Sequence, residues 1–157
     1  MHIRPATIAD VELIRDFIVR LARYEKLEHE AVVTIENLEN TLFGEQPFAN
    51  VLIAEHDSEP AGFALYFHNY STFLGKAGIY LEDLFVIDEK RGLGIGRKLL
   101  QKLAQICVEN DFGRLEWSVL DWNEPAIKVY ERLGARSMKE WITYRIAGSA
   151  LQEMAAD

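Results

Sequence analysis

The amino-acid sequence predicts an α/β layered fold (α+β) in which helices flank a mixed, mostly antiparallel central sheet. Two β-like runs joined by a short turn predict an antiparallel hairpin, and strands and helices alternate after a third β-like run. The length is the third observation, since 157 residues suit one compact domain with a core of its own. We therefore expect residues 1–157 to form a single domain.

The first third of the chain contains one predicted strand and two predicted helices. Residues 3–6 are typical of a short strand. Thr7 and Asp10 are residue types that favour the start of a helix, and the apolar residues that follow them recur at helical spacing, which predicts the first helix. A second, weaker helix follows Thr34. The remaining predicted strands lie at residues 51–55, 61–70, 79–87, 115–120 and 141–146.

Helices separate the later strands. One helix begins near Gly94, and apolar residues at helical spacing continue through Cys107. A shorter helix begins at Pro125 and stops at Gly134, which is the usual placement of these two residue types at helix ends. A short tail helix follows the final strand.

The composition excludes several classes of function. The chain has 17 Lys and Arg against 25 Asp and Glu, so its net charge of −8 argues against nucleic acid or an anionic membrane as partner and suits a small cation. No apolar run reaches the length of a membrane span, and the N-terminus lacks the apolar core of a signal peptide. The single cysteine cannot form an internal disulfide, and no Cys or His pair has zinc spacing. We expect a cytoplasmic protein without a metal.

A glycine-rich turn is the sharpest chemical signal in the sequence. Gly92, Gly94 and Gly96 follow a predicted strand and open a helix, where unpaired backbone N–H groups favour an anion. Arg91 adds a positive charge beside them. A dinucleotide-binding fingerprint would need a glycine where the chain has Arg97. A merely flexible loop is the alternative, but three alternating glycines favour phosphate binding.

Two carboxylates interrupt the most β-like run. Glu82 and Asp83 lie where the sequence otherwise predicts a strand buried on both faces, and burying a carboxylate is costly unless it is paired or hydrated. A structural salt bridge is one interpretation. The functional one is a site that attracts an ammonium group and helps to remove its proton. Neighbouring strand residues point to opposite faces, so both can line one cleft only if a bulge breaks the alternation.

Two further segments are ambiguous. Asn123 precedes a helix that carries Tyr130, and a helix cap together with a buried aromatic would explain both. Tyr24 and Glu25 end the first helix, where a solvated helix terminus is the simpler interpretation.

The glycine turn resembles the signature of the GCN5-related N-acetyltransferase (GNAT) superfamily. The resemblance extends over nearly the whole chain. More narrowly, the sequence looks like the diamine (spermidine/spermine) and thialysine N-acetyltransferase group. The segments that carry this likeness are LARYEK (21–26), YLED (80–83) and DWNEP (121–125).

This resemblance implies acetyl-CoA as cofactor, direct transfer without an acyl-enzyme, and a pantetheine cleft between two splayed central strands. Glu82 would attract the amine and accept its proton, and Tyr130 would protonate the leaving thiolate. The residues expected to line the amine site are Tyr24, Glu25, Glu82 and Asp83. The residues expected to bind acetyl-CoA are Leu84, Phe85, Val86, Arg91, Gly92, Leu93, Gly94, Ile95, Gly96, Arg97, Asn123, Ala126 and Tyr130.

The expected acceptor is a small cationic amine, either a polyamine or a thialysine-like amino acid, and the resemblance implies a homodimer. Two alternatives remain at this point. One is a non-catalytic acetyl-CoA-binding sensor, and the other is an acetyltransferase for protein N-termini or lysines.

Overall fold

The computed structural model describes residues 1–156, and its internal contacts divide the chain into two compact units. The first unit is Met1–Ser118 and the second begins at Val119. The first unit contains the helices and strands β1 His2–Pro5, α1 Val11–Tyr24, α2 Ile35–Leu42, β2 Asn50–His56, β3 Glu59–Ser71, β4 Lys76–Val86, α3 Ile95–Glu109 and β5 Leu115–Trp117. The second contains α4 Glu124–Arg132 and α5 Gly148–Ala156. Whether the whole chain acts as one domain stays a prediction.

A five-stranded sheet organises the first unit. Its strands lie in the order β1-β2-β3-β4-β5, and every neighbouring pair is antiparallel except β4 and β5, which are parallel. This confirms the predicted mixed, mostly antiparallel sheet. The β2–β3 turn is tight because Asp57 and Ser58 both adopt positive φ angles, 56° and 62°.

Helices cover both faces of this sheet. Phe17 of α1 stacks on Phe63 of β3 with ring centroids 5.5 Å apart, and Phe85 of β4 packs into the same cluster. The side chains of Leu84 and Val86 lie instead beside Gly96 at the start of α3. Because strand side chains alternate between faces, α1 and α3 pack on opposite sides of β4.

The start of α1 is fixed by a buried ion pair. Asp10 accepts hydrogen bonds from both terminal nitrogens of Arg4, at 2.8 and 2.9 Å, and from the Thr7 backbone N–H at 2.8 Å. The Arg4 guanidinium lowers the pKa of Asp10 to about 2. The helix predicted after Thr34 is confirmed as α2, and the Thr34 side chain caps it by accepting a bond from the backbone N–H of Asn37.

The second unit confirms one predicted helix and the tail helix, but it corrects a strand. The Asn123 side chain accepts a bond from the Ala126 backbone N–H at 3.4 Å, which caps α4. Gly134, with φ of +87°, follows the end of α4. Residues 141–146, predicted to be a strand, have no strand structure within the described chain. A strand needs a hydrogen-bonded neighbour, and the described part of this unit contains no other strand; Trp141 is 74% exposed.

The fifth strand is also shorter than predicted. It ends at Trp117, although the β-like pattern continues to residue 120.

Among the described helices, none is long and apolar enough to cross a membrane.

Candidate active site

A β-bulge in β4 brings the predicted carboxylate pair together. Leu65 of β3 lies opposite Asp83, but the next residue, Tyr66, lies opposite Leu81, so Glu82 is the additional residue on β4. The bulge breaks the alternation that would otherwise send these two carboxylates to opposite faces. It meets the condition set by the sequence analysis for both to line one cleft.

Electrostatics tie this pair to the end of α1. Asp83 is partly buried, and burial together with the negative charges of Glu82 and Glu25 raises the pKa of Asp83 to about 7. Glu25 follows the last residue of α1 and is partly buried, and burial raises its pKa as well. These three residues form one anionic cluster, named here the carboxylate cluster. A bound cation would favour the charged forms of Asp83 and Glu25, whose pKa values are raised.

Arg91 connects the glycine turn to Tyr24, the residue before Glu25. Its guanidinium carbon lies 4.6 Å from the centroid of the Tyr24 ring, which is a cation–π contact. Its Nε donates to the Val86 carbonyl at 3.2 Å, and a terminal nitrogen pairs with the Asp88 carboxylate at 2.7 Å. Asp88 was not among the predicted site residues, although its three-residue spacing from Arg91 is a sequence signal for this ion pair.

The glycine turn leaves open space around its backbone. Gly92 and Gly94 have φ angles of +81° and +78°, and a Cβ built on either would meet no atom within 4 Å. A Cβ on Gly96 would lie 3.7 Å from Val86 Cγ2, an ordinary contact. Packing therefore does not require these three glycines. Leu93 is exposed between them, and Arg97 lies exposed in the first turn of α3.

The two parallel strands pair over a short length only. Residues 79–81 of β4 pair with β5, and the register between them ends at Leu81 and Trp117. Beyond that point Leu84, Phe85 and Val86 continue to pair with β3. The backbone of these three residues on the side of β5 therefore lies outside the β4–β5 register. The pantetheine cleft between two splayed central strands stays a prediction.

Three of the remaining predicted residues belong to the second unit. Asn123 caps α4, Ala126 lies in its first turn, and Tyr130 is partly buried on the same helix. Ile95, in the first unit, is buried at the start of α3.

Among the described residues no three His, Cys, Asp or Glu side chains are grouped to hold a metal.

Residues 14–135 match the model of the acetyltransferase (GNAT) family. The chain belongs to the GNAT family. It is therefore an N-acetyltransferase, and its relatives use amines as acceptors.

Several relatives of this acetyltransferase match over nearly its full length. The thialysine N-ε-acetyltransferase of Bos taurus is 39% identical, over 98% of this chain and 96% of that protein. The enzyme of the same name from Mus musculus is 37% identical with the same coverage. An L-ornithine N5-acetyltransferase of Arabidopsis thaliana is 35% identical, over 96% of this chain and 86% of its own.

Solved structures support the same fold. An integron cassette protein from the mobile metagenome of V. cholerae superposes with a TM-score of 0.83 at 28% identity, over 99% of this chain and 98% of its own. A probable acetyltransferase superposes with a TM-score of 0.78 at 26% identity, over 94% of this chain and 97% of its own.

Proposed function

We propose that this acetyltransferase moves an acetyl group from acetyl-CoA directly to the primary amine of a small cationic acceptor, a diamine, a polyamine or a thialysine-like amino acid. The observation that carries the proposal is the carboxylate cluster of Glu25, Glu82 and Asp83. Three neighbouring carboxylates, one of them with a pKa of about 7, are costly to keep together unless a cation binds among them.

The residues around the glycine turn fit acetyl-CoA. The empty space beside Gly92 and Gly94 and the backbone N–H groups at the start of α3 suit a diphosphate, and Arg91 supplies positive charge. The backbone of residues 84–86 lies outside the β4–β5 register and could pair with the pantetheine arm. We propose Asn123 and Ala126 as further contacts. When bound, acetyl-CoA supplies the thioester from which the acetyl group is transferred.

Proton transfer is the difficulty that the carboxylates address. A primary amine with a pKa of about 10.4 is only about 0.1% neutral near pH 7.4, and only the neutral form attacks a thioester. We propose that Glu82, the exposed member of the pair, accepts the amine proton through a water molecule. Asp83, which is less exposed, adds the second negative charge that holds the ammonium group at the bulge.

The leaving sulfur also needs a proton. When the amine nitrogen bonds to the acetyl carbon and the carbon–sulfur bond breaks, the hydroxyl of Tyr130 would donate a proton to the sulfur. Tyr24 and Glu25 complete the proposed amine site. The homodimer and the cytoplasmic location implied above stay predictions.

A thiol-release assay with acetyl-CoA and a panel of amines tests this proposal. The panel contains putrescine, spermidine, thialysine, ornithine, an aminoglycoside and a basic peptide. We expect turnover of one or more of the small diamines, polyamines and diamino acids and none of the peptide. Acetyl-CoA binding without turnover of any amine would instead favour a sensor, and turnover of the peptide alone would favour a protein acetyltransferase.

Two variants examine the proton path. Glu82→Gln should lower kcat by 10²–10⁴-fold, the usual contribution of general acid–base catalysis, with little change in the KM of acetyl-CoA. Tyr130→Phe should also lower kcat while acetyl-CoA affinity is kept. Tyr144→Phe is the matched control, since this tyrosine is 91% exposed. A Tyr130→Phe enzyme as fast as the control would remove the acid role.

A further inference from the structure

The sheet face that carries Asp83 continues beyond the bulge into an aromatic pair. On β3, Leu65 lies opposite Asp83, and Phe67, two residues further along, points to the same face. Phe67 lies opposite Tyr80, so both rings share this face of the sheet with Asp83. One strand repeat of two residues separates the levels of the carboxylate and the rings, which is about 7 Å.

The two rings form a fixed platform. Their centroids are 5.2 Å apart with an interplanar angle of 30°, and both side chains are only partly buried. The hydroxyl groups of Tyr80 and Ser118 are hydrogen-bonded at 2.6 Å, which ties the tyrosine to the residue that follows β5. The pair therefore combines exposed aromatic surface with a fixed ring position.

One carboxylate at the level of the rings already has partners. Glu116 of β5 lies opposite Tyr80, but its carboxylate pairs with Arg114 at 2.7 Å and accepts a bond from Asn69 at 3.0 Å. A cation arriving at this level would find that carboxylate neutralised. The faces of the two rings, with their negative quadrupoles, can receive it instead.

We propose that Phe67 and Tyr80 determine acceptor specificity by binding the second, non-reacting cationic nitrogen of an aliphatic acceptor. The inference rests on the proposed function, because it assumes that the reacting amine occupies the carboxylate cluster. A short aliphatic chain along the sheet face then spans the distance from the cluster to the rings. An acceptor with one nitrogen makes only the first of these two contacts.

Initial rates with putrescine and with n-butylamine at saturating acetyl-CoA test the proposal. These amines have the same carbon chain, and only putrescine has a second nitrogen. We expect the wild-type enzyme to show a lower KM for putrescine. Tyr80→Leu and Phe67→Leu should each raise that KM by about two- to five-fold, the range of an exposed cation–π contact, and leave the KM of n-butylamine unchanged.

Controls separate ring chemistry from folding. Tyr80→Phe keeps the ring and loses the bond to Ser118, so it should retain most of the preference for putrescine. Tyr70→Leu removes an aromatic ring from the other face of β3, where Tyr70 is 61% exposed, and should leave both KM values unchanged. The KM of acetyl-CoA in every variant reports whether the fold and the donor site are intact.

The outcomes distinguish this inference from the proposed function. If the wild-type enzyme acetylates no amine at all, the proposed function fails. If it acetylates both amines but Tyr80→Leu and Phe67→Leu keep the wild-type ratio of the two KM values, the aromatic pair does not bind the second nitrogen and the inference is overturned. A rise in both KM values together also overturns it, because a structural role would produce that result.

Discussion

Replacing Asp83 with asparagine should stabilise the fold most strongly at alkaline pH. Burial, reinforced by Glu82 and Glu25, raises the pKa of Asp83 from 3.8 to about 7. Between these pH values the unfolded chain releases a proton that the folded chain keeps, so wild-type stability falls as the pH rises through this window. Wild-type stability falls by about 1.4 kcal/mol for each pH unit of this window, so the total loss above pH 7 is about 4 kcal/mol. Asparagine has no such proton.

The measurement is urea unfolding of the wild-type enzyme and the Asp83→Asn variant at about pH 5 and about pH 8, followed by tryptophan fluorescence. The free energy of unfolding of the variant minus that of the wild type should be roughly 3 kcal/mol larger at about pH 8 than at about pH 5. The reason is that about two pH units of the window in which the wild type loses stability lie between these conditions. The difference is an upper value, since a flexible side chain or water can relieve part of the penalty.

A second background tests the physical cause. Glu25→Gln removes one of the negative charges that raise the pKa of Asp83, so the gain from Asp83→Asn should be smaller in that background. A difference between variant and wild type that is the same at both pH values would refute the reasoning. It would mean that the folded chain ionises Asp83 as readily as the unfolded chain does.

Three other predictions concern the glycine turn, Arg91 and the start of α1. Gly94→Ala should destabilise the fold by about 1–2 kcal/mol, because the φ angle of Gly94 is +78°. Gly96→Ala should keep or raise the melting temperature, because its Cβ would make only an ordinary contact. The same Gly96→Ala variant should still increase the KM of acetyl-CoA. Arg91→Lys keeps the charge but loses the planar stack on Tyr24, so the amine KM should rise about two- to five-fold in initial-rate assays. Asp10→Asn should cost about 2 kcal/mol in urea unfolding at neutral pH. That cost should shrink as the pH falls from 3.8 towards 2, where the wild-type carboxylate is protonated too.

Local patterns were sufficient to predict most of the fold. The helix that follows Thr34, the glycine turn before α3 and the hairpin of β2 and β3 each depend on residues close together in sequence. The strand predicted at residues 141–146 failed for the opposite reason. Its alternation is a local property, but strand structure also depends on a neighbour from elsewhere in the chain.

The site was predictable in its residue types and less so in its energetics. Glu82 and Asp83 stand out because they interrupt an apolar run, and that signal needs no structure. The bulge and the approach of Glu25 do need one, because they depend on the register with β3 and on the end of α1. Phe67 gave no sequence signal, since it suits an ordinary strand, and Tyr80 stood out only as part of the segment YLED (80–83).

The bulge in β4 has a consequence for how such a site can arise. Without Glu82, the strand would alternate without interruption, with Leu81 and Leu84 on the α3 face and Asp83 and Phe85 on the α1 face. The apolar pattern that builds the sheet is therefore complete without this residue. Adding one residue, Glu82, to a strand with this pattern is enough to create the carboxylate pair. The residues on either side of Glu82 then keep the faces on which they pack without it.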